Sequence, residues 1–106
     1  TARAMYLASS GAAAVRSALP LLSSAHAAWR LGAPRALADA RAARTVFEAQ
    51  APDSLMAGVA RCLVALALEA QGDAASAQPH FDGARRTLAK LPPSEPYETL
   101  CRVSRS

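Results

Sequence analysis

A nearly all-apolar helix followed at once by a glycine–aspartate pair is the feature that most constrains this fold. Residues 55–70 read LMAGVARCLVALALEA, and only Arg61 and Glu69 carry a charge in this run. A helix that is apolar most of the way round is normally buried among other helices. Gly72 can adopt the positive φ that ends such a helix, and Asp73 can cap the next one. The stretch therefore predicts two antiparallel helices joined by a tight turn.

The second helix of this hairpin is small and polar, but it carries small or apolar residues at helical spacing: Ala77, Phe81, Ala84 and Leu88. Ala77 and Ala84 allow two helix backbones to approach closely, and Phe81 fills the space beside the crossing. Pro79 removes one backbone donor, which is tolerated best in the first turn of a helix. We therefore expect this helix to begin within residues 74–76 and to be slightly kinked.

The hairpin 52–91 resembles the tetratricopeptide repeat (TPR), a helix–turn–helix unit of about 34 residues. The positions that fit the family pattern are Val64, Ala65, Gly72, Ala77, Phe81 and Ala84, with Leu68 where the family has an aromatic residue. Arg61 stands where the family prefers a bulky residue, and Ala89 where it prefers proline. The resemblance implies an α-solenoid in which the first helix of each repeat lines a concave, partner-binding surface.

The rest of the 106-residue chain also reads as helix. Helices are predicted over residues 3–19, 21–31 and 34–50, and a short last helix is predicted within 95–103. Pro20 either starts the second of these or kinks one long helix. The run Gly32-Ala33-Pro34 stops one helix and starts the next. The inner face of the first helix is predicted to carry Met5, Ala8, Ala12, Val15 and Leu19.

These elements predict a single all-α domain over residues 1–106, built as a short TPR-like stack of about five to six helices. Residues 3–50 form its degenerate hairpin region, 52–91 its best repeat-like hairpin, and 95–103 a cap over the exposed end of the stack. An offset of forty residues aligns Gly32 with Gly72, and one of thirty-four aligns Phe47 with Phe81. Neither register holds throughout the first hairpin.

The family register places a stripe of the first repeat helix on the concave side: Val59, Cys62, Leu66 and Glu69. Their spacing of three and four residues puts them on one helix face. They either line a partner-binding groove or, if the first hairpin folds over them, belong to the core. Glu69 favours the groove because an unpaired charge is not buried, whereas so apolar a stripe is typical of core. The sequence predicts these four residues as the partner-binding site.

Two basic clusters lie on predicted polar helix faces, in a chain whose net charge is +4: Arg35, Arg41 and Arg44, and then Arg85 and Arg86 with Lys90. One interpretation is a basic strip for an acidic partner or a nucleic acid. The other is an ordinary solvated surface in the arginine-rich protein of a GC-rich bacterial genome. Aromatic residues that would stack on bases are not interleaved with the arginines, so no nucleic-acid partner is expected.

The sequence contains no pattern typical of catalysis or metal binding. His26 and His80 fall on different predicted hairpins, and no close ligand spacing joins them to Cys62 or Cys101. We therefore expect no enzyme activity, no metal and no cofactor. Two cysteines do not make a disulfide framework, and Cys62 reads as a small buried hydrophobe. Both are predicted to be free thiols, with Cys101 the more reactive because it lies near a terminus.

Targeting and membrane segments are also unexpected. Ala25-His26-Ala27 mimics a signal-cleavage site, but Arg16 interrupts the apolar region before it. The longest apolar run, CLVALAL, is far shorter than the ~20 residues that span a bilayer. A reduced, cytoplasmic, bacterial protein is predicted, with its oligomeric state open. Its predicted function is that of a scaffold or protein-interaction module that binds another protein or peptide. The alternative is a regulatory or sensor segment of a larger transcription regulator, or a secretion chaperone.

Overall fold

Five helices make up the computed structural model, which describes the backbone of residues 2–103 and the side chains of residues 16–103. They are α1 (Ala2–Arg30), α2 (Arg35–Gln50), α3 (Leu55–Ala70), α4 (Ala74–Ala89) and α5 (Tyr97–Leu100). No strand occurs within residues 2–103. The all-α prediction is confirmed. In the part that is described, none of the helices combines the length and the apolar character needed to span a membrane.

The first helix is longer than predicted, because α1 continues through Pro20 to Arg30. Of the two readings of Pro20, the one long helix is correct. A proline removes one helical hydrogen bond, and packing outweighs this loss where small and apolar residues on both sides of Pro20 are buried: Ala18, Leu22, Ala25 and Ala28. Leu19, predicted to face inward, is 42% exposed. The side chains of Met5, Ala8, Ala12 and Val15 lie outside the described residues.

Helices α1 and α3 both end in the same hydrogen-bond pattern, a Schellman motif. Gly72 has φ +85° and donates to the Glu69 carbonyl, while Asp73 donates to the Leu68 carbonyl at 3.0 Å. Gly32 has φ +71° and ends α1 in the same way. Asp73 then caps α4, because its Oδ1 accepts a hydrogen bond from the Ser76 backbone N–H at 3.2 Å. The turn predicted from Gly72 and Asp73 is confirmed.

The core is centred on α3, which packs extensively on α2 and α4 and more sparsely on α1. Between Ala57 and Leu68, every residue of α3 is buried except Arg61, which is half-buried. The predicted inner face of α4 is buried too: Ala77, Phe81, Ala84 and Leu88. The crossing of α3 and α4 is close at Gly58, where an added Cβ would lie 3.0 Å from Leu88 Cδ2.

The C-terminal segment, residues 91–103, is tied to α3 by a disulfide between Cys62 and Cys101. The prediction of two free thiols is therefore wrong. The Cα atoms of the pair lie 5.5 Å apart, and neither cysteine is exposed. Cys101 was expected to be accessible because it lies near the terminus, but the segment carries it back into the core. Tyr97 of this segment lies beside α1 and α3.

Candidate partner-binding site

The stripe predicted from the family register is mostly inside the molecule. Val59, Cys62 and Leu66 are each at most 3% exposed. Cys62 is covered by its disulfide partner, and Val59 lies at the bottom of a cleft beside Tyr97. Within this chain, only Glu69 brings the stripe to the surface. The sequence left open whether this stripe lines a groove or belongs to the core. In the structure, its three apolar residues belong to the core.

Glu69 was expected to mark an open groove because its charge had no evident partner. In the structure its carboxylate accepts two hydrogen bonds from the Arg102 guanidinium, at 2.6 and 2.9 Å. These hydrogen bonds, more than the simple attraction of the two charges, hold the pKa of Glu69 below its usual value. The Arg102 guanidinium also lies over the Phe81 ring, 4.6 Å from its centre. Glu69 therefore anchors the C-terminal segment.

The C-terminal segment has its own internal support. Glu98 is 7% exposed, and its Oε2 accepts a hydrogen bond from the Ser94 backbone N–H at 2.7 Å. Glu95 Oε2 accepts from the Thr99 hydroxyl at 2.8 Å. These bonds occupy backbone and side-chain groups around the short helix α5, so the segment is a locally formed unit, and the disulfide ties it to α3.

An open cleft remains between α1 and the C-terminal segment. Its inner part has a volume of 210 Å³ and is lined by Leu19, Leu22, Ser23, His26, Met56, Val59, Leu63 and Tyr97. Its outer part is a broader depression of 620 Å³, lined by His26, Trp29, Arg30, Pro96 and Leu100. His26 belongs to both parts, so they form one continuous surface. We call the two parts together the α1 cleft.

One face of α1 supplies the wall of the α1 cleft, because its lining residues recur at intervals of three and four. The outer part is mainly apolar, whereas the inner part mixes polar and apolar surface, and Ser23, His26 and Arg30 are the polar side chains that α1 contributes. The His26 and Trp29 rings stack with their centres 6.1 Å apart. A largely apolar cleft with a few polar groups is typical of a binding site. The sequence-based reading missed this site, although the spacing of Leu22, His26 and Trp29 was a usable signal.

Trp29 also borders a second cavity, at the end of α1. This cavity of 340 Å³ is lined by Trp29, Gly32, Ala33, Pro34, Ala36, Ala67, Ala70 and Gln71. Small residues of the α1–α2 turn and of the end of α3 leave this space open. The indole thus separates two adjoining apolar depressions. An aromatic side chain in such a position presents a large contact area on both sides, which is typical of interface hot spots.

The arginines of the predicted basic surface do not form one strip. Arg35 pairs with Asp39 at 3.9 Å, and Arg85 pairs with Asp82 at 2.5 Å. Arg44 instead contacts His80 of α4, with 3.2 Å between Nη1 and Nδ1. The pKa of His80 lies below its usual value, first because of partial burial and then because of the nearby charges of Arg44 and Arg41. The structure therefore brings Arg44 of the first predicted cluster to His80 of α4.

A metal centre has no obvious location in the part of the chain with described side chains. No group of three or more histidine, cysteine, aspartate or glutamate residues converges there, and both cysteines are bonded to each other. The site that the geometry offers is the α1 cleft.

Comparisons with protein-family models, with curated proteins and with solved structures found no match to this chain.

Proposed function

We propose that this chain is a protein-interaction module that receives a segment of a partner protein in the α1 cleft. The observation that carries the proposal is the cleft itself: the apolar stripe of α3 is buried, whereas the corresponding side of α1 stays open beside the C-terminal segment. Leu19 on its rim is 42% exposed. Covering such apolar surface stabilises a complex by roughly 25 cal/mol for each Å² removed from water.

The TPR-like arrangement remains part of this proposal. Two features support it: the repeated turn motif at Gly32 and Gly72, and the packing of each long helix on the next along the chain. In that arrangement α1 and α3 are the first helices of successive hairpins and line the same concave side. The C-terminal segment lies over α3, so the unobstructed part of the proposed concave side belongs to α1.

The chemistry of the α1 cleft suits an amphipathic segment. Aliphatic side chains of the partner would enter the inner part beside Leu19 and Tyr97. At the outer end, Arg30 has no carboxylate within 4 Å among the described side chains. An acidic residue of the partner would complement it. Such a pattern of apolar anchors with a charged rim gives both affinity and register to a bound helix or strand.

A matched pair of variants tests this proposal. Leu19→Glu places a charge on the rim of the α1 cleft, and Ala75→Glu introduces the same charge at an exposed residue of α4 that lines neither part of it. Proteins captured from a lysate of the source organism by the wild-type chain are identified, and binding is then measured with the purified partner. We expect Leu19→Glu to weaken binding at least about tenfold, which is about 1.4 kcal/mol.

Ala75→Glu should leave that affinity within about twofold of wild type, since isolated surface changes have small effects. Trp29 is the only tryptophan in the chain, so its emission should also shift when the partner binds. Equal affinities for the two variants, or a partner that binds without changing the Trp29 emission, would contradict the α1 cleft as the binding site.

A further inference from the structure

A second group of side chains meets on the α2–α4 side of the molecule, away from the α1 cleft. Arg44 of α2 donates a hydrogen bond from Nη1 to Nδ1 of His80 on α4, across 3.2 Å. A guanidinium can only donate, so Nδ1 must accept, and a neutral His80 ring then carries its proton on Nε2. The contact therefore presents hydrogen-bond donors, and no acceptor, to the solvent.

Glu48, whose charge also acts on His80, connects this contact to Arg61 of α3. Arg61 Nε binds Glu48 Oε1 at 2.9 Å, and its Nη1 donates to the Thr87 hydroxyl, which in turn donates to the Gly83 carbonyl. An added Cβ at Gly83 would lie 3.9 Å from Arg61 Cδ and 4.0 Å from Arg86 Nη2. Gly83 is thus the place where the Arg61 and Arg86 side chains come together over α4.

We call this group the basic face, and it consists of Arg41, Arg44, Arg61, His80 and Arg86. Glu48 is the carboxylate bound within it, and Arg61 already occupies that carboxylate. Among the described residues, no carboxylate lies within 4 Å of Arg41, Arg44 or Arg86. Asp82 is nearby on α4, but Gln78 and Arg85 hold it. The basic face therefore carries positive charge that the chain itself does not balance.

We propose that the basic face binds an acidic segment of a partner protein, laid across α2 and α4. Guanidinium groups recognise carboxylates through paired hydrogen bonds, and Arg61 already binds Glu48, the carboxylate within the basic face. A nucleic acid fits less well, because bases bind on exposed aromatic rings. Phe47 and Phe81 are buried, and Trp29 and Tyr97 line the α1 cleft instead. The proposal concerns a surface separate from the one assigned above.

The state of His80 gives an independent readout. Partial burial and the charges of Arg44 and Arg41 lower its pKa, and the charge of Glu48 opposes this shift. Carboxylates brought in by a ligand would offset the arginine charges, so the pKa of His80 should rise when the basic face is occupied. Ligands bound elsewhere would leave it unchanged.

The probe is a fluorescent oligoglutamate peptide, with binding to the whole chain measured by anisotropy and with the His80 ring followed by NMR. Arg41→Gln/Arg44→Gln removes two charges from the basic face. Arg35→Gln/Lys90→Gln removes two exposed charges outside it, Arg35 being one that Asp39 already pairs. We expect about tenfold weaker binding for the first variant and a change within about twofold for the second.

The His80 ring signals of the wild-type chain should shift as the peptide is added. Oligothymidylate of matched charge serves as the nucleic-acid probe and should bind more weakly than the peptide. The proposal is overturned by absence of peptide binding, by equal weakening in the two variants, by an unchanged His80 signal, or by oligothymidylate binding through Arg41 and Arg44 at least as tightly as the peptide.

Discussion

Cys62 of α3 and Cys101 of the C-terminal segment form a fully buried disulfide between residues 39 positions apart. The bond holds the segment over α3, and the adjacent residue, Arg102, pairs with Glu69 further along the same helix. The apolar stripe of α3 is closed by this arrangement. The side of α1 that faces the segment stays open, and this difference locates the candidate site.

Loss of the disulfide should lower stability substantially. A cross-link closing a loop of this length stabilises the folded state by up to about 4 kcal/mol in the chain-entropy model. We expect urea unfolding of wild type to shift to lower urea when a reductant is present. Cys62→Ala/Cys101→Ala should unfold at low urea with or without reductant. Identical curves for oxidised and reduced wild type would contradict the bond, as would alkylation of both thiols in unreduced, unfolded protein.

The same bond bears on the predicted cytoplasmic location. Stable disulfides are typical of oxidising compartments and are rare in a reducing cytoplasm. The location therefore stays a prediction, and the pairing of Cys62 with Cys101 weighs against it. Mass spectrometry of the chain isolated from its own cells under acid quench would establish which redox state it has there.

Replacing Gly58 or Gly83 by alanine should change the stability of the protein in opposite directions, although both glycines lie within helices. Gly58→Ala places a Cβ 3.0 Å from Leu88 Cδ2 and 3.3 Å from Thr87 Cγ2, and both neighbours are buried. Overpacking of this kind costs about 1–3 kcal/mol, more than the gain in helix propensity. At Gly83, the nearest atom would lie 3.9 Å away, so Gly83→Ala should stabilise by up to about 1 kcal/mol. Chemical unfolding measures both, and a stabilised Gly58→Ala would show that the crossing is looser than the structure indicates.

Local signals in the sequence were enough to place α2, α3 and α4. Gly72 and Asp73 fixed the turn between α3 and α4 because one allows positive φ and the other caps a helix. Pro20 left open whether α1 is one helix or two, because the rule for proline is local, whereas burial of the surrounding residues is tertiary.

The candidate site depends on contacts between residues far apart in the chain. The neighbours of Cys62 are apolar, so the sequence predicted a buried apolar residue and not a disulfide. No residue near Glu69 in the sequence predicted its pairing with Arg102. The sequence predicted residues 95–103 as a cap over the exposed end of the stack, but it did not predict their bonds to Cys62 and Glu69 of α3. The sequence therefore could not predict that the C-terminal segment covers the apolar stripe of α3 and leaves the facing side of α1 uncovered. The resemblance to the tetratricopeptide repeat remains a prediction, since no comparison tests it.

His80 should titrate at higher pH once Arg44 is removed. Its pKa is lowered first by burial and then by the charges of Arg44 and Arg41, so Arg44→Gln should move it part of the way back. NMR titration of the His80 ring checks this, and an unchanged or lower pKa in the variant would contradict the contact.

The sign of the stability effect follows from linkage. The unfolded chain binds a proton to His80 more readily than the folded chain does. The contribution of this residue to stability is therefore present above the pKa of the unfolded state, and it is lost as the pH falls through the folded pKa. The free energy of unfolding of wild type should therefore fall at slightly acid pH, and that of Arg44→Gln should fall less.

The apolar stripe of α3 is core while α1 presents the open face, and glutamate scanning with thermal unfolding distinguishes these two surfaces. Leu66 is 3% exposed, so Leu66→Glu should destabilise the chain as severely as Phe81→Ala, which is expected to cost about 3–5 kcal/mol. Leu19→Glu should stay within about 1 kcal/mol of wild type. A near-native melting temperature for Leu66→Glu, together with unfolding by Leu19→Glu, would contradict the account.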